Sequence, residues 1–254
     1  MPSDPRFSIV TCTWNSAATL GDTLASLASQ SWRDFEHVFV DGGSLDGTLD
    51  MLAAYRGNKR ILPGVGGGIS RAMNHGIAAA RGDIVAHLHA DDYYAGPEVL
   101  AQVARHFDAT GAAWVVGNIQ VLRDGELAPP YPMQPFSYRA YASGRTSIPH
   151  PAVFVRRAWF ARVGGFDPSL RYAMDIDLWL RLAFTASPAQ LDLPLAVFRE
   201  HAGSVSSSNK ICARQEEFRV RRRHARRAPL AFALYCLRYW KRMQALRAAS
   251  DMSP

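Results

Sequence analysis

Three short runs rich in β-branched and apolar residues, at 7–13, 35–40 and 84–89, alternate with stretches whose apolar residues recur at helical spacing. Strands that alternate with helices build a mostly parallel sheet with both faces covered, so the expected class is α/β and Rossmann-like. In such sheets ligands bind beyond the carboxyl ends of the strands. Each run here ends in polar residues: Thr13-Trp14-Asn15, Asp41-Gly42-Gly43-Ser44 and Ala90-Asp91-Asp92. Three clusters distant in sequence are therefore expected to meet at one cleft, with Thr11, Thr13, Asp41 and Asp91 at its edge.

Further helices are expected from Asn15 or Ser16 to about Gln30, from Asp46 to about Tyr55, and over 69–81, 97–107 and 175–184. Further strands are expected at 112–121, 149–156 and 191–198. Residues 129–151 are rich in proline and aromatics and read as a long surface loop, too proline-broken for a helix.

Asp91 and Asp92 stand side by side where a strand ends. Two adjacent carboxylates repel, and a fold that keeps them usually places a cation there. Hard ions such as Mg2+ or Mn2+ take oxygen ligands, commonly one or two carboxylates plus the phosphates of a nucleotide. An isolated acid pair reads as readily as a solvated turn. Here it has company. His87 and His89 alternate along the same run and read as buried strand histidines rather than ligands.

The formal charge of +7 is unevenly placed. Twelve of the 29 basic residues but only three of the 22 acidic ones lie from Lys210 onward, so the body is near neutral and the tail carries the surplus. Cys12, Cys212 and Cys236 are widely spaced, which fits reduced thiols in the cytoplasm rather than a disulfide framework or a zinc site. The first six residues hold no apolar signal region, so no secretory leader is expected.

Four motifs occur in order: strand–Thr-Trp-Asn, strand–Asp-Gly-Gly-Ser-Leu-Asp-Gly-Thr, Ala-Asp-Asp, and Val-Gly-Gly-Phe-Asp followed by Asp-Ile-Asp-Leu-Trp-Leu-Arg-Leu. Together they resemble the inverting glycosyltransferase family 2, enzymes of the GT-A fold, over roughly residues 6–207. The resemblance implies transfer of a sugar from a nucleotide-sugar donor to a hydroxyl of a glycan or lipid-linked acceptor, as in bacterial surface polysaccharide synthesis. It implies that Asp91 touches the ribose, that Asp92 ligates a divalent cation (Mg2+ or Mn2+), and that Asp175 is the catalytic base. Thr11, Thr13 and Asp41 would contact the nucleotide. Arg71 stands where relatives often carry an acid, so no family role passes to it; a contact to nucleotide or phosphate is expected there only because it opens a helix after a glycine run. His201, in an Arg-x-His-x-x-Ser segment, would reach the metal or diphosphate, and His150 would line the acceptor side. Asp177 reads as a helix-start carboxylate favoured by the dipole. The chain departs from the family at Gly42 and Met174, where relatives carry acids. An alternative is therefore a non-catalytic nucleotide-sugar-binding or scaffold protein on the same fold.

The division expected is a GT-A domain over 1–208 and a basic amphipathic helical tail over 209–254. In the tail an arginine cluster precedes about ten apolar residues, short of the ~20 that span a bilayer. That pattern fits a helix lying on an anionic membrane, at the inner face of the cell membrane. Packing on the domain is the competing reading. No nucleic-acid partner is expected, because no stacking platform accompanies the arginines.

Overall fold

A computed structural model of the chain describes residues 4–130, 132–200 and 209–251. Its layering follows from the period-two alternation of the first strand, β1 (Phe7–Thr13). Phe7 and Ile9 enter one apolar cluster, Val10 and Cys12 another on the opposite face. Both faces of the sheet are thus buried, and helices cover each.

In chain order, β1 is followed by α1 (Ala17–Ala28), β2 (Phe35–Asp41), α2 (Thr48–Ala54), β3 (Lys59–Leu62), α3 (Ile69–Ala79) and β4 (Ile84–His87). Then come β5 (Tyr93–Tyr94), α4 (Val99–Thr110), β6 (Trp114–Arg123), β7 (Glu126–Leu127), α5 (Tyr138–Ala142), β8 (Val153–Arg156) and α6 (Arg157–Val163). The chain ends with α7 (Met174–Thr185), β9 (Ala189–Glu200), α8 (Lys210–Arg223) and α9 (Pro229–Asp251). The strands form one sheet in the order β3-β2-β1-β4-β8-β6-β9-β5, with β7 paired to β6. β1 to β4 run parallel, as do β6 and β9, whereas β8 is antiparallel to both β4 and β6.

α1 and α4 present Leu27, Leu100, Val103 and Phe107 to one face, with Phe154 of β8. α3 and α7 present Met73, Leu178, Trp179 and Leu182 to the other, with Trp114. Each such side chain contributes about 1.5–3 kcal/mol when fully buried.

The 129–151 segment departs from its expected form. No proline falls between Pro135 and Pro149, so there Ser137 accepts the Ala140 N–H as a helix cap and α5 forms with Tyr141 and Ala142 buried.

The basic segment from Lys210 is built into the same body. α8 buries Glu216, Glu217, Val220 and Arg221, and α9 buries Ala231, Tyr235 and Met243. Phe218 meets Tyr239 at 4.5 Å between ring centroids, closing the α8–α9 hairpin. Arg221 donates to the carbonyls of Tyr141 and Ala142, and Arg238 to that of Ser143, tying the hairpin to α5. The expected boundary near residue 208 therefore has a packed interface across it.

Candidate active site

Parallel pairing brings the ends of β1 and β2 together, with Thr13 opposite Asp41. The Thr13 hydroxyl donates to Asp41 Oδ1 at 2.8 Å, and Ser44 Oγ donates to the same oxygen at 2.6 Å. Asp41 Oδ2 accepts the N–H groups of Gly43 and Ser44 at 2.8 and 2.9 Å. Burial alone would raise this carboxyl, but the donors from Ser44, Thr13 and Gly43 outweigh it and hold it below the usual range. Asp41 is thus fully buried and engaged with its own turn, which Gly43 closes at φ +96°. Thr11 is buried too, its hydroxyl donating to the Leu88 carbonyl at 2.7 Å with His37 at 2.8 Å. Thr11, Thr13 and Asp41 thus frame the strand ends, each of their side-chain groups already having a partner inside the fold. Asp46 does similar work, accepting from Thr48 and from the Ala17 N–H.

The glycine-rich approach to α3 resolves the same way. Ser70 donates to the Leu170 carbonyl, and Asn74 exchanges two 2.8 Å hydrogen bonds with the backbone of Phe166. A Cβ on Gly76 would lie 2.2 Å from Val10 Cγ1, so this position seats α3 on β1. Arg71 lies on the exposed face of α3 and makes no hydrogen bond or ion pair with another described residue.

The acid pair is differently built. Asp92 is 2% exposed, and its Oδ1 accepts the Arg199 N–H at 3.1 Å. The pairing of β5 with β9 sets that contact. Burial lifts the Asp92 carboxyl well above the usual carboxylate range, the charge of Asp91 adds to the lift, and Arg199 opposes it. The Arg199 guanidinium bonds the Asp91 carbonyl and the Asp22 carboxylate.

His87, His89 and His150 stand beside this pair. His89 and His150 stack at 5.0 Å, and His150 lies 5.7 Å from the Trp179 ring. Burial pulls His87 down to about 3 and lowers His89 and His150 too, so the three rings are neutral. They supply no positive charge to the acids. Among the described residues no group of three or more His, Cys, Asp or Glu side chains could hold a metal ion. The donor set does fit a hard cation that arrives with a diphosphate: one or two carboxylates from the protein, and oxygen ligands from the phosphates. His201 lies outside the described residues.

The same ring contacts lead from the acid pair to α7, since Trp179 sits one turn along α7 from Asp175. Asp175, the second residue of α7, is half-buried and accepts the Ile176 N–H at 2.7 Å. Burial pushes its carboxyl up to about 6; Glu217 pushes the same way, while backbone N–H groups and Arg221 pull it down. A carboxylate that titrates near neutrality can both accept and release a proton. Asp177 points elsewhere: it is ion-paired with Arg181 at 2.8 Å and bonded to His224 at 3.0 Å. The sequence reading missed the groups of α8 around Asp175, namely Glu216, Glu217 and Arg221. Two adjacent acids inside an arginine-rich helix were the available signal.

The model of the family described as glycosyl transferase family 2 matches residues 8–162. An uncharacterized glycosyltransferase of Mycobacterium tuberculosis is 32% identical over 203 residues, covering 78% of this chain and 76% of its own. A Mycobacterium bovis protein named as a PGL/p-HBAD biosynthesis glycosyltransferase is 28% identical, covering 94% of this chain and 92% of its own. Among solved structures, S. aureus TarS 1–349 in complex with UDP-GlcNAc superposes with a TM-score of 0.71 at 23% identity over 85% of this chain. The chain spans 64% of that TarS fragment and 37% of the longer TarS chain. The mannosyltransferase PcManGT from Pyrobaculum calidifontis, in complex with GDP-Man and Mn2+, gives a TM-score of 0.66 at 19% identity, covering 100% of this chain and 77% of its own. With its mixed sheet flanked by helices on the GT-A plan, the chain belongs to glycosyl transferase family 2.

Proposed function

We propose that this glycosyltransferase is inverting and metal-dependent, and moves a sugar from a nucleoside diphosphate donor to a hydroxyl of a glycan or lipid-linked acceptor in surface polysaccharide or glycolipid synthesis. The observation that carries the reading is a half-buried carboxylate, Asp175, titrating near 6 and joined through Trp179, His150 and His89 to the strand end bearing Asp91 and Asp92.

In the reaction Asp175 accepts the proton of the acceptor hydroxyl while that oxygen bonds to the anomeric carbon. The bond from that carbon to the diphosphate oxygen breaks on the opposite face, and the nucleoside diphosphate leaves with the electron pair. One displacement inverts the configuration. Asp92 would hold a divalent cation, Mg2+ or Mn2+, whose chemistry when bound would be to offset the charge on the leaving diphosphate, and Asp91 would hold the ribose. Thr11, Thr13 and Asp41 act through the turn they hold rather than by direct contact. Arg71, unpaired toward other described residues, faces the nucleotide, and the exposed Trp14 ring beside Gly42 offers a face for the base. His201, outside the described residues, keeps only the role that the family resemblance implies, toward the metal or diphosphate.

The acceptor side is read from the tail. No described helix is long and apolar enough to cross a membrane. On α9, Leu230, Leu234, Leu237 and Trp240 are exposed at spacings that share one helical face. Arg226, Arg227 and Lys241 are exposed beside them. An apolar stripe rimmed by cations suits the cytoplasmic, anionic face of a membrane, where a lipid-linked acceptor would lie. The mycobacterial relative named for PGL/p-HBAD biosynthesis is consistent with such an acceptor.

The test is a panel of UDP- and GDP-sugars with Mn2+, scored by donor hydrolysis and by thermal shift. Asp175→Asn keeps donor binding and loses roughly 10²–10⁴-fold in rate, the usual share of a general base. Asp92→Ala loses the metal-dependent part of donor binding. Full activity in Asp175→Asn would remove the base assignment. No turnover with any donor that the wild type binds would favour the scaffold alternative.

A further inference from the structure

We propose that Glu216, on α8, is a positioning residue for Asp175, holding the backbone from which α7 starts. A single carboxylate oxygen, Glu216 Oε1, accepts three consecutive N–H groups: Arg171 at 2.9 Å, Tyr172 at 2.6 Å and Ala173 at 2.8 Å. Asp175 follows two residues later. Ala173 is the N-cap position of α7 and has no side chain able to cap, so Glu216 acts one step earlier, fixing the three residues that lead into the helix. Glu216 is 5% exposed, and charge-assisted bonds of this kind are stronger than neutral ones. α8 is itself fixed by Arg221, which bonds Glu217 at 2.8 Å and the carbonyls of Tyr141 and Ala142. The carboxylate therefore joins two anchored elements more than forty residues apart.

The inference rests on the reading of Asp175 as the base. It adds that the arginine-rich segment is part of the catalytic apparatus. The groups facing Asp175 are Glu217 and Arg221 from α8, Tyr141 from α5 and the Ile176 N–H of its own helix. A shift of the α7 entry moves Asp175 relative to all of them.

The experiment compares Glu216→Gln, Glu216→Ala and Asp175→Asn in the full chain. It follows UDP- and GDP-sugar turnover with Mn2+ and records kcat, donor KM, the pH profile of kcat and Tm. Gln keeps one acceptor oxygen. In Glu216→Gln donor KM stays unchanged and kcat falls roughly ten- to a hundred-fold, the scale expected of a small misplacement. Its acidic limb moves to lower pH as the loosened α7 entry lets Asp175 gain water. Glu216→Ala falls further, so Gln is a partial rescue. Wild-type kcat and pH profile in Glu216→Gln would overturn the proposal. So would a loss of rate that tracks Tm alone while the limb stays in place. Activity in Asp175→Asn would instead overturn the underlying reading, whatever the Glu216 variants do.

Discussion

Arg221→Ala should be among the most destabilising single changes in the arginine-rich segment, although seven arginines crowd residues 214–227. Side-chain exposures of Arg221 and Glu217 are 4% and 6%, and their Nε–Oε1 distance is 2.8 Å. Removing one partner of a buried pair leaves an uncompensated charge and costs about 3–5 kcal/mol. Arg214, 2.7 Å from the other Glu217 oxygen, keeps part of the compensation but is 43% exposed, so the lower end applies, about 3 kcal/mol. For a chain of this size that corresponds to a Tm lowered by about 6–12 °C. The sign with pH follows from Glu217. Burial raises its carboxyl, but Arg221 and then Arg214 hold it below the ordinary glutamate value. Its stabilisation is therefore full above the unfolded pKa and is lost as pH falls through the lower folded one. In Arg221→Ala the carboxyl rises, so the gap to wild type is widest near neutrality and narrows on acidification. Urea unfolding at pH 7.5 and pH 4.5 measures both. A double variant, Arg221→Met with Glu217→Leu, should recover more than half of the loss, since no unpaired charge remains. A loss below 1 kcal/mol at pH 7.5, or a gap that widens in acid, would refute the packed-tail description.

Two further outcomes follow. With Asp175, its carboxyl pushed up by burial to about 6, as the proposed base, kcat should fall on the acid side with a midpoint near that value, roughly tenfold per pH unit below it; a rate unchanged from pH 8 to pH 5 would exclude Asp175 as the base. Sedimentation with phosphatidylglycerol vesicles should retain the wild-type chain more than phosphatidylcholine vesicles do. Leu234→Asp should weaken that retention roughly ten- to a hundred-fold, the scale of one buried apolar side chain; equal retention on both lipids would remove the anionic-membrane reading.

What could be read from the sequence follows a physical division between local and long-range information. β1, β2 and β4 were legible because buried parallel strands need continuous β-branched and apolar runs, and such runs have no good alternative use. β3 was not, because Lys59-Arg-Ile-Leu62 lies at the sheet edge, half-buried, with too few apolar residues to show a period. α6 begins directly after β8, so no turn residue marks its start. At the site, Asp91 and Asp92 stood out because adjacent acids beside an apolar segment are rare enough to need a reason, whereas Asp175 stood out only through the resemblance of its segment to a family motif. Thr13 and Asp41 looked equally chemical, yet each satisfies the other. A polar residue at a strand end bonds either a ligand or its neighbour, and only the register decides. Glu216 shows the limit most clearly. Its partners are three backbone N–H groups, which every residue but proline possesses, so no side-chain pattern announces them. An acid in a basic helix looks like charge balance until the fold reveals that it faces inward. The tail's twelve cations dominate its composition, but the charged residues that it buries are one arginine and two glutamates. Net charge describes what a segment shows to solvent and is nearly silent about what it buries.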